Sequence, residues 1–151
     1  MRRALDTNVL LYAHLPAFPE HLAVRTYLLS QLGAAGVSLV LTPLVLHEFL
    51  QVVTDARRFS PPLNMDQALA VVRGYLGKAN VEIVPLDEEA VRLALLLLER
   101  HRLGRKRIAD APFAAALIAQ EVPEIVTCNV DDFAPLSELV VIDPRTAGVA
   151  G

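Results

Sequence analysis

Tryptophan is absent from this 151-residue chain, and cysteine occurs once. A lone thiol, Cys128, excludes an intramolecular disulfide framework and suits a reducing cytosol. Aromatics are scarce at 5%, so few side chains (Tyr12, Tyr27, Phe59 and Tyr75) are candidates for stacking on nucleic-acid bases. No apolar run nears the roughly 20 residues that a membrane-spanning helix needs. The longest, Val37 to Val53, is broken by Ser38, Thr42, Pro43, His47, Glu48 and Gln51. An acid at Asp6 precedes any apolar segment, which argues against a signal peptide. There is no Gly-rich phosphate loop, and Ser30, Ser38, Ser60 and Ser137 lie in no nucleophile motif. His14, His21, His47 and His101 lack metal-ligand spacing. Net charge is −3, so any nucleic-acid partner must be read from local clusters. A soluble, cytoplasmic protein with no membrane partner is expected.

Hydrophobic residues, by contrast, reach 54%, enough at this length to fill a sizeable core with apolar surface left for a partner. A single domain over residues 1–151 is expected. Ala4-Leu5 reads as the end of a short strand, with a helix from about Asn8 to His14. A second helix, about Glu20 to Leu32, would place Leu22, Tyr27, Leu28, Leu29 and Leu32 on its apolar side. Val37 to Leu41 reads as a buried strand. Thr42 and Pro43 suit the N-cap and first position of a helix reaching about Asp55. Arg57 to Pro62 is a loop, and Asp66 is predicted to cap a helix ending near Gly77. Val81 to Val84 is a strand, and Asp87 opens a leucine-rich helix through Arg100. Asp110 opens an Ala-rich helix through Gln120, and strands follow at Ile125 to Thr127 and Leu139 to Ile142. Short strands alternating with helices point to a parallel sheet covered by helices on both faces.

Four places carry candidate chemistry. Asp6 ends the first strand, where open α/β sheets place ligands, yet Asp is equally a good helix N-cap. Glu48 shares a helix face with Leu44, Val45, Phe49 and Val52. A buried carboxylate there needs a cation, a donor or a raised pKa; a salt bridge or a place at the stripe's edge would also explain it. Asp110 is in phase with Phe113, Ala114 and Leu117 and reads as a cap or as a ligand. Thr127-Cys128-Asn129-Val130-Asp131-Asp132-Phe133 follows a strand end as Asp6 does, and reads as a turn with a short helix or as an oxygen donor set. Converging carboxylates repel one another by roughly 1–4 kcal/mol per close pair, which a divalent cation removes. All-oxygen donors favour Mg2+ or Mn2+ over Zn2+.

In this order and spacing, Asp6-Thr7-Asn8, His47-Glu48-Phe49, Asp110 before an Ala-rich helix, and Thr127-x-Asn129-x-x-Asp132-Phe133 resemble the PIN-domain family and its VapC-type toxins. The resemblance spans nearly the whole chain. It implies a Mg2+-dependent endoribonuclease, with Mn2+ able to substitute, on a flavodoxin-like three-layer α/β/α sandwich with a mostly parallel sheet of about five strands. It also implies a homodimer and a cognate antitoxin that covers the acidic groove. By carry-over, Asp6 and Asp110 would be the main metal ligands and Glu48 would complete an acidic triad. Asn129 falls where many relatives carry a fourth acid. Either it serves as a neutral ligand or donor, or Asp131 or Asp132 takes over. Thr7 and Asn8 would orient carboxylates or bond the scissile phosphate, and Thr127 belongs with them.

Arg100, Arg102, Arg105, Lys106 and Arg107 place five of the 14 Lys/Arg within eight residues, with His101 among them. Arg105, Lys106 and Arg107 are candidates to position RNA phosphates, though cations at a helix end also complement its dipole. Arg57 and Arg58 form a weaker patch. Two other readings stay open: a non-catalytic RNA- or protein-binding module, and another Mg2+-dependent phosphohydrolase. An aspartyl-phosphate phosphatase would want a second Asp where Asn8 stands.

Overall fold

Five short strands form one parallel sheet in the computed structural model, which describes residues 1–148. The last three residues of the expected domain, 149–151, lie outside the described residues. The strands are β1 (Arg2–Leu5), β2 (Ser38–Leu41), β3 (Val81–Ile83), β4 (Glu124–Val126) and β5 (Val140–Ile142). Their order is β3-β2-β1-β4-β5, with every pairing parallel. Ala4, Leu5, Leu39, Val40, Leu41, Ile125 and Val126 are fully buried, as expected of central strands covered on both faces. The edge strands β3 and β5 are three residues long, which limits their open backbone.

Seven helices connect the strands: α1 (Thr7–His14), α2 (His21–Leu32), α3 (Pro43–Val53), α4 (Met65–Leu76), α5 (Glu88–Arg100), α6 (Asp110–Ala119) and α7 (Val130–Phe133). A 3-10 turn, Arg105–Arg107, precedes α6. α1 packs on α2 and α3, α3 on α4, and α5 on α6, so the helices form two groups. Right-handed crossovers put these groups on opposite faces and give the three-layer α/β/α sandwich. The strand order reverses between β1 and β4. That reversal opens a crevice at the strands' C-terminal ends, where open α/β sheets bind ligands.

Two local expectations are corrected. Leu22 and Leu29 of α2 are exposed, and the buried stripe is Val24, Tyr27 and Leu28, at the i, i+3, i+4 spacing of one helix face. Asn64, not Asp66, caps α4: its side chain accepts from the Gln67 N–H at 2.8 Å while Gln67 Oε1 accepts from the Asn64 N–H at 3.0 Å. The leucine-rich α5 buries Ala90, Ala94 and Leu97 but leaves Val91, Leu95 (63% exposed) and Leu96 (53%) facing outwards.

His14 closes α1 against two aromatic rings, edge-on to Phe49 at 5.9 Å and to Tyr75 at 5.6 Å. Its Nε2 lies 2.6 Å from the Tyr75 hydroxyl. Burial, helped by Arg25 and His21, lowers the ring pKa from 6.5 to about 4. The unfolded chain therefore binds a proton between those pH values that the folded chain refuses. Stability contributed by the neutral ring is complete above 6.5 and falls as pH drops towards 4. Between pH 7 and pH 5 the expected loss is about 2 kcal/mol. His14→Gln keeps an acceptor for Tyr75 without titrating. Urea unfolding of both proteins at the two pH values should show the variant free of this loss; equal losses in both would show that His14 is not the responsible group.

Candidate active site

β1 and β4 lie side by side, Leu5 opposite Val126, so Asp6 and Thr127 leave the sheet as neighbours. The Asp6 N–H donates to the Val126 carbonyl at 3.0 Å, fixing the backbone at this point. Asp6 is itself the N-cap of α1, its Oδ1 accepting from the Thr7 N–H at 2.7 Å. Its Oδ2 accepts from the Thr127 hydroxyl at 2.8 Å and from Asn8 Nδ2 at 3.1 Å. The cap expected of Asp6 is therefore present, and Oδ1 alone makes it. Thr7, Asn8 and Thr127 are buried, and their polar atoms are spent on holding side chains and loop in place. Asn8 also donates to Thr127 Oγ1 at 3.2 Å and accepts from the Cys128 N–H at 3.0 Å.

Glu48 reaches the same point from α3. Thr42 caps that helix as expected, accepting from the Val45 N–H at 3.3 Å. Glu48 is not sunk in an apolar stripe, however: it is exposed, as is Leu44, at the stripe's edge. Its Oε2 accepts from the Thr7 hydroxyl at 2.9 Å. Asp110 comes from the opposite side. It is the first residue of α6 rather than its cap, and Ala109 in the cap position offers no side-chain bond. The Asp110 carboxylate is therefore left free for the cavity.

Asp6, Glu48, Asp110 and Asn129 line one cavity of about 280 Å3, with Thr7, Asn8, Leu11, Leu44, Val45, Ala109 and Phe113 completing the wall. The acids feel one another there. Burial pushes the Asp6 carboxyl up, its hydrogen bonds from Thr127 and Thr7 pull it back, and the Glu48 charge adds to the rise. Asp110 is pushed up to about 6, first by burial, then by the charges of Asp132 and Asp6. Oxygen-only donors among which burial and neighbouring charge raise the Asp6 and Asp110 carboxyls are a chemistry suited to a hard divalent cation. Among the described residues, no three His, Cys, Asp or Glu side chains stand close enough together to enclose an ion as they are. The Arg107 guanidinium is paired with Asp132 and lies 3.9 Å from Asp110.

The remaining expected residues separate. Asp132 stays beside the acids through Arg107. Asp131 does not reach the cavity; it is exposed over a neighbouring depression lined by Cys128, Asn129, Asp143 and Arg145. Asp132 also borders that depression, and neither acid of α7 lines the cavity of Asp6, Glu48 and Asp110; the ion pair with Arg107 is what ties Asp132 to it. The basic cluster is similarly divided. Arg100 and His101 bind Glu138, and Arg107 turns inwards, whereas Arg105 and Lys106 are exposed. Arg57 and Arg58 pair with Asp55. The residue that sequence reasoning missed is Arg145, which reaches back to the Cys128 carbonyl at 3.0 Å. Its only sequence trace is the turn Asp143-Pro144-Arg145.

The PIN domain pattern matches residues 3–138. Ribonuclease VapC24 of Mycobacterium tuberculosis is 31% identical over 147 residues, covering 95% of this chain and 97% of that protein. Ribonuclease VapC33 of the same species is 30% identical over 139 residues, covering 92% and 95%. Among solved structures, M. tuberculosis VapC20 superposes with a TM-score of 0.67 at 14% identity, covering 87% of this chain and 93% of that one. A chain of Rickettsia felis VapBC2, bound to a promoter DNA fragment, superposes with a TM-score of 0.65 at 19% identity, covering 94% and 98%. The sheet order, the acids gathered at its switch point and the match along nearly the whole length agree: this chain belongs to the PIN-domain family, in its VapC branch.

Proposed function

We propose that this chain is a Mg2+-dependent endoribonuclease and the toxin of a toxin–antitoxin pair. The convergence of Asp6, Glu48, Asp110 and Asn129 on one cavity at the sheet's switch point carries this reading. The two relatives above are named ribonucleases, which supports RNA as substrate. Asp6 and Asp110 would hold the metal, with Glu48 and the neutral Asn129 oxygen beside them, and Mn2+ would substitute for Mg2+. The bound cation supplies a polarised water and charge neutralisation for in-line attack on a phosphodiester. The chain's own part is orientation. Thr127, Asn8 and the Thr7 N–H fix the Asp6 carboxylate, and the Thr7 hydroxyl fixes Glu48. Arg105 and Lys106, exposed just before Asp110, are placed to bind RNA phosphates.

A cognate antitoxin is the proposed partner, since several structural neighbours are toxin–antitoxin complexes. The exposed apolar side of α5, Val91, Leu95 and Leu96, supports a homodimer. No helix among the described residues is long and apolar enough to cross a membrane, in keeping with a proposed cytoplasmic location. A phosphatase mechanism gains nothing from Asn8, which is a buried amide with its bonds committed to Asp6, Thr127 and Cys128. The non-catalytic reading draws on Asn129, an amide where an acid is usual in the family.

Chelation tests the proposal. Total cellular RNA incubated with the purified protein should be cut in Mg2+ or Mn2+, left intact in excess EDTA, and cut again once Mg2+ is restored. Equal cutting in EDTA would overturn the metal mechanism. RNA bound but uncut in both metals would establish the non-catalytic module instead.

A further inference from the structure

The Asn129 end of the acid cavity is held by residues outside the stretch that matches the family pattern. That stretch ends at residue 138, whereas Asp143 and Arg145 follow β5. The Arg145 side chain donates two parallel hydrogen bonds to one carboxylate, Nε to Asp143 Oδ1 at 2.9 Å and Nη2 to Asp143 Oδ2 at 2.8 Å. The Arg145 N–H also donates to Asp143 Oδ1 at 2.9 Å, closing a rigid turn. Two parallel N–H donors on one carboxylate fix the plane of the guanidinium. From that fixed plane, Nη2 donates to the Cys128 carbonyl at 3.0 Å.

Cys128 is the hinge residue between two site residues. Its N–H is held by Asn8 at 3.0 Å, and its carbonyl by Arg145. The Thr127 N–H is bound to the Ile142 carbonyl at 3.0 Å. Thr127 turns its hydroxyl to Asp6 and accepts from the Asn129 N–H at 3.0 Å. Asn129 is no part of a regular helix or strand; its φ and ψ are −96° and 61°, and its side chain makes no capping bond to α7. The placement of its amide in the cavity therefore depends on the peptide before it.

We infer that Arg145, braced by Asp143, is a positioning residue: it clamps the Cys128 carbonyl and thereby sets Thr127 and Asn129 at the acid cavity. The inference rests on the nuclease reading for its activity arm only. It acts through geometry and gives Arg145 no contact with the RNA or the metal. Loss of the clamp leaves the Cys128–Asn129 peptide held only through the Asn129 N–H bond to Thr127 Oγ1, so its carbonyl is no longer fixed and the Thr127 hydroxyl and Asn129 amide shift at the cavity, while substrate affinity from Arg105 and Lys106 is untouched.

The test uses Arg145→Gln, Arg145→Lys and Asp143→Asn in the full chain. Misplacing reacting groups by about 1 Å costs up to about a hundredfold, so kcat on an RNA substrate should fall about tenfold to a hundredfold in Arg145→Gln with KM within about threefold. Arg145→Lys keeps a donor for the carbonyl and should recover part of the loss. Cys128 is the only thiol, and it is buried. Its rate of reaction with a disulfide reagent should rise about tenfold or more in Arg145→Gln and Asp143→Asn, because exchange needs access to the thiol. Unchanged thiol reactivity in folded Arg145→Gln and Asp143→Asn would overturn the clamp. So would a kcat loss that merely tracks the unfolded fraction seen by circular dichroism. If the wild-type protein cuts no RNA in any metal, the nuclease reading fails, and the thiol rates still decide the clamp. If Arg145→Gln does not fold, Asp143→Asn carries both measurements.

Discussion

Asp6→Asn should lower RNA cleavage by about three orders of magnitude, ~4 kcal/mol in the barrier, while leaving the protein folded. The two halves of that expectation come from different atoms. The amide oxygen of the variant can still accept from the Thr7 N–H, so the α1 cap survives. At the other position an NH2 replaces Oδ2, which now accepts from Thr127 and Asn8. Thr127 Oγ1 already accepts from Asn8 Nδ2 and from the Asn129 N–H, so its hydroxyl loses the Asp6 acceptor, a cost of about 1–3 kcal/mol. Partly offsetting that cost, the variant removes a partly buried charge that Glu48 repels. What it cannot replace is the carboxylate's charge and its free lone pairs towards a cation. Single-turnover cleavage in Mg2+, with thermal unfolding of the same samples, separates the two halves. Cleavage within tenfold of wild type in a folded variant would remove Asp6 from the reaction; loss of both fold and activity would make it a cap alone.

The same residue shows how far the sequence could be read. A short apolar lead-in ending at Asp6 was enough to place it on the sheet's C-terminal edge, and the ordered set of acids was enough to name the family. The split of roles was not legible. The sequence left Asp6 as either a cap or a ligand; the structure shows it as the cap of α1, with its second oxygen, Oδ2, held by Thr127 and Asn8 at the edge of the cavity. Glu48 was singled out for a reason the structure does not support. Neighbours at i−4 and i+4 share a face, but that face has an edge, and Glu48 lies on it with the exposed Leu44. Its place in the site follows from Thr7 and the cavity, not from burial. Asp131 and Asp132 were indistinguishable by composition, and only the partner Arg107 separates them. Arg107 itself was read as a surface cation because its partner lies 25 residues away, beyond any local pattern. Arg145 is the same problem in stronger form: its contact with Cys128 spans 17 residues and depends on where β5 ends.

Phe133→Ala should cost about 3–5 kcal/mol of stability, the usual range for emptying a fully buried aromatic site. Phe133 is 1% exposed and stands edge-on to Phe113, ring centroids 5.9 Å apart at 80°. Phe113 lies three residues after Asp110 on α6, and Phe133 directly follows Asp132 on α7. The pair therefore joins the two segments that carry these acids, through apolar contact rather than charge. Removing the ring leaves a void that the four-residue α7 closes poorly, because it is also tied to β5, to the Asn129 turn and, through Asp132, to Arg107. For a chain of this size the loss corresponds to roughly 10 °C in the melting temperature. Phe133→Leu keeps most of the volume and should cost about 1.5 kcal/mol or less. Urea unfolding with m-values for both variants is the measurement. A loss under about 1 kcal/mol in Phe133→Ala would mean that α7 collapses onto Phe113 without it, and so is not fixed by this contact. The larger loss would identify the Phe113–Phe133 contact as what keeps Asp110 and Asp132 near enough to share Arg107.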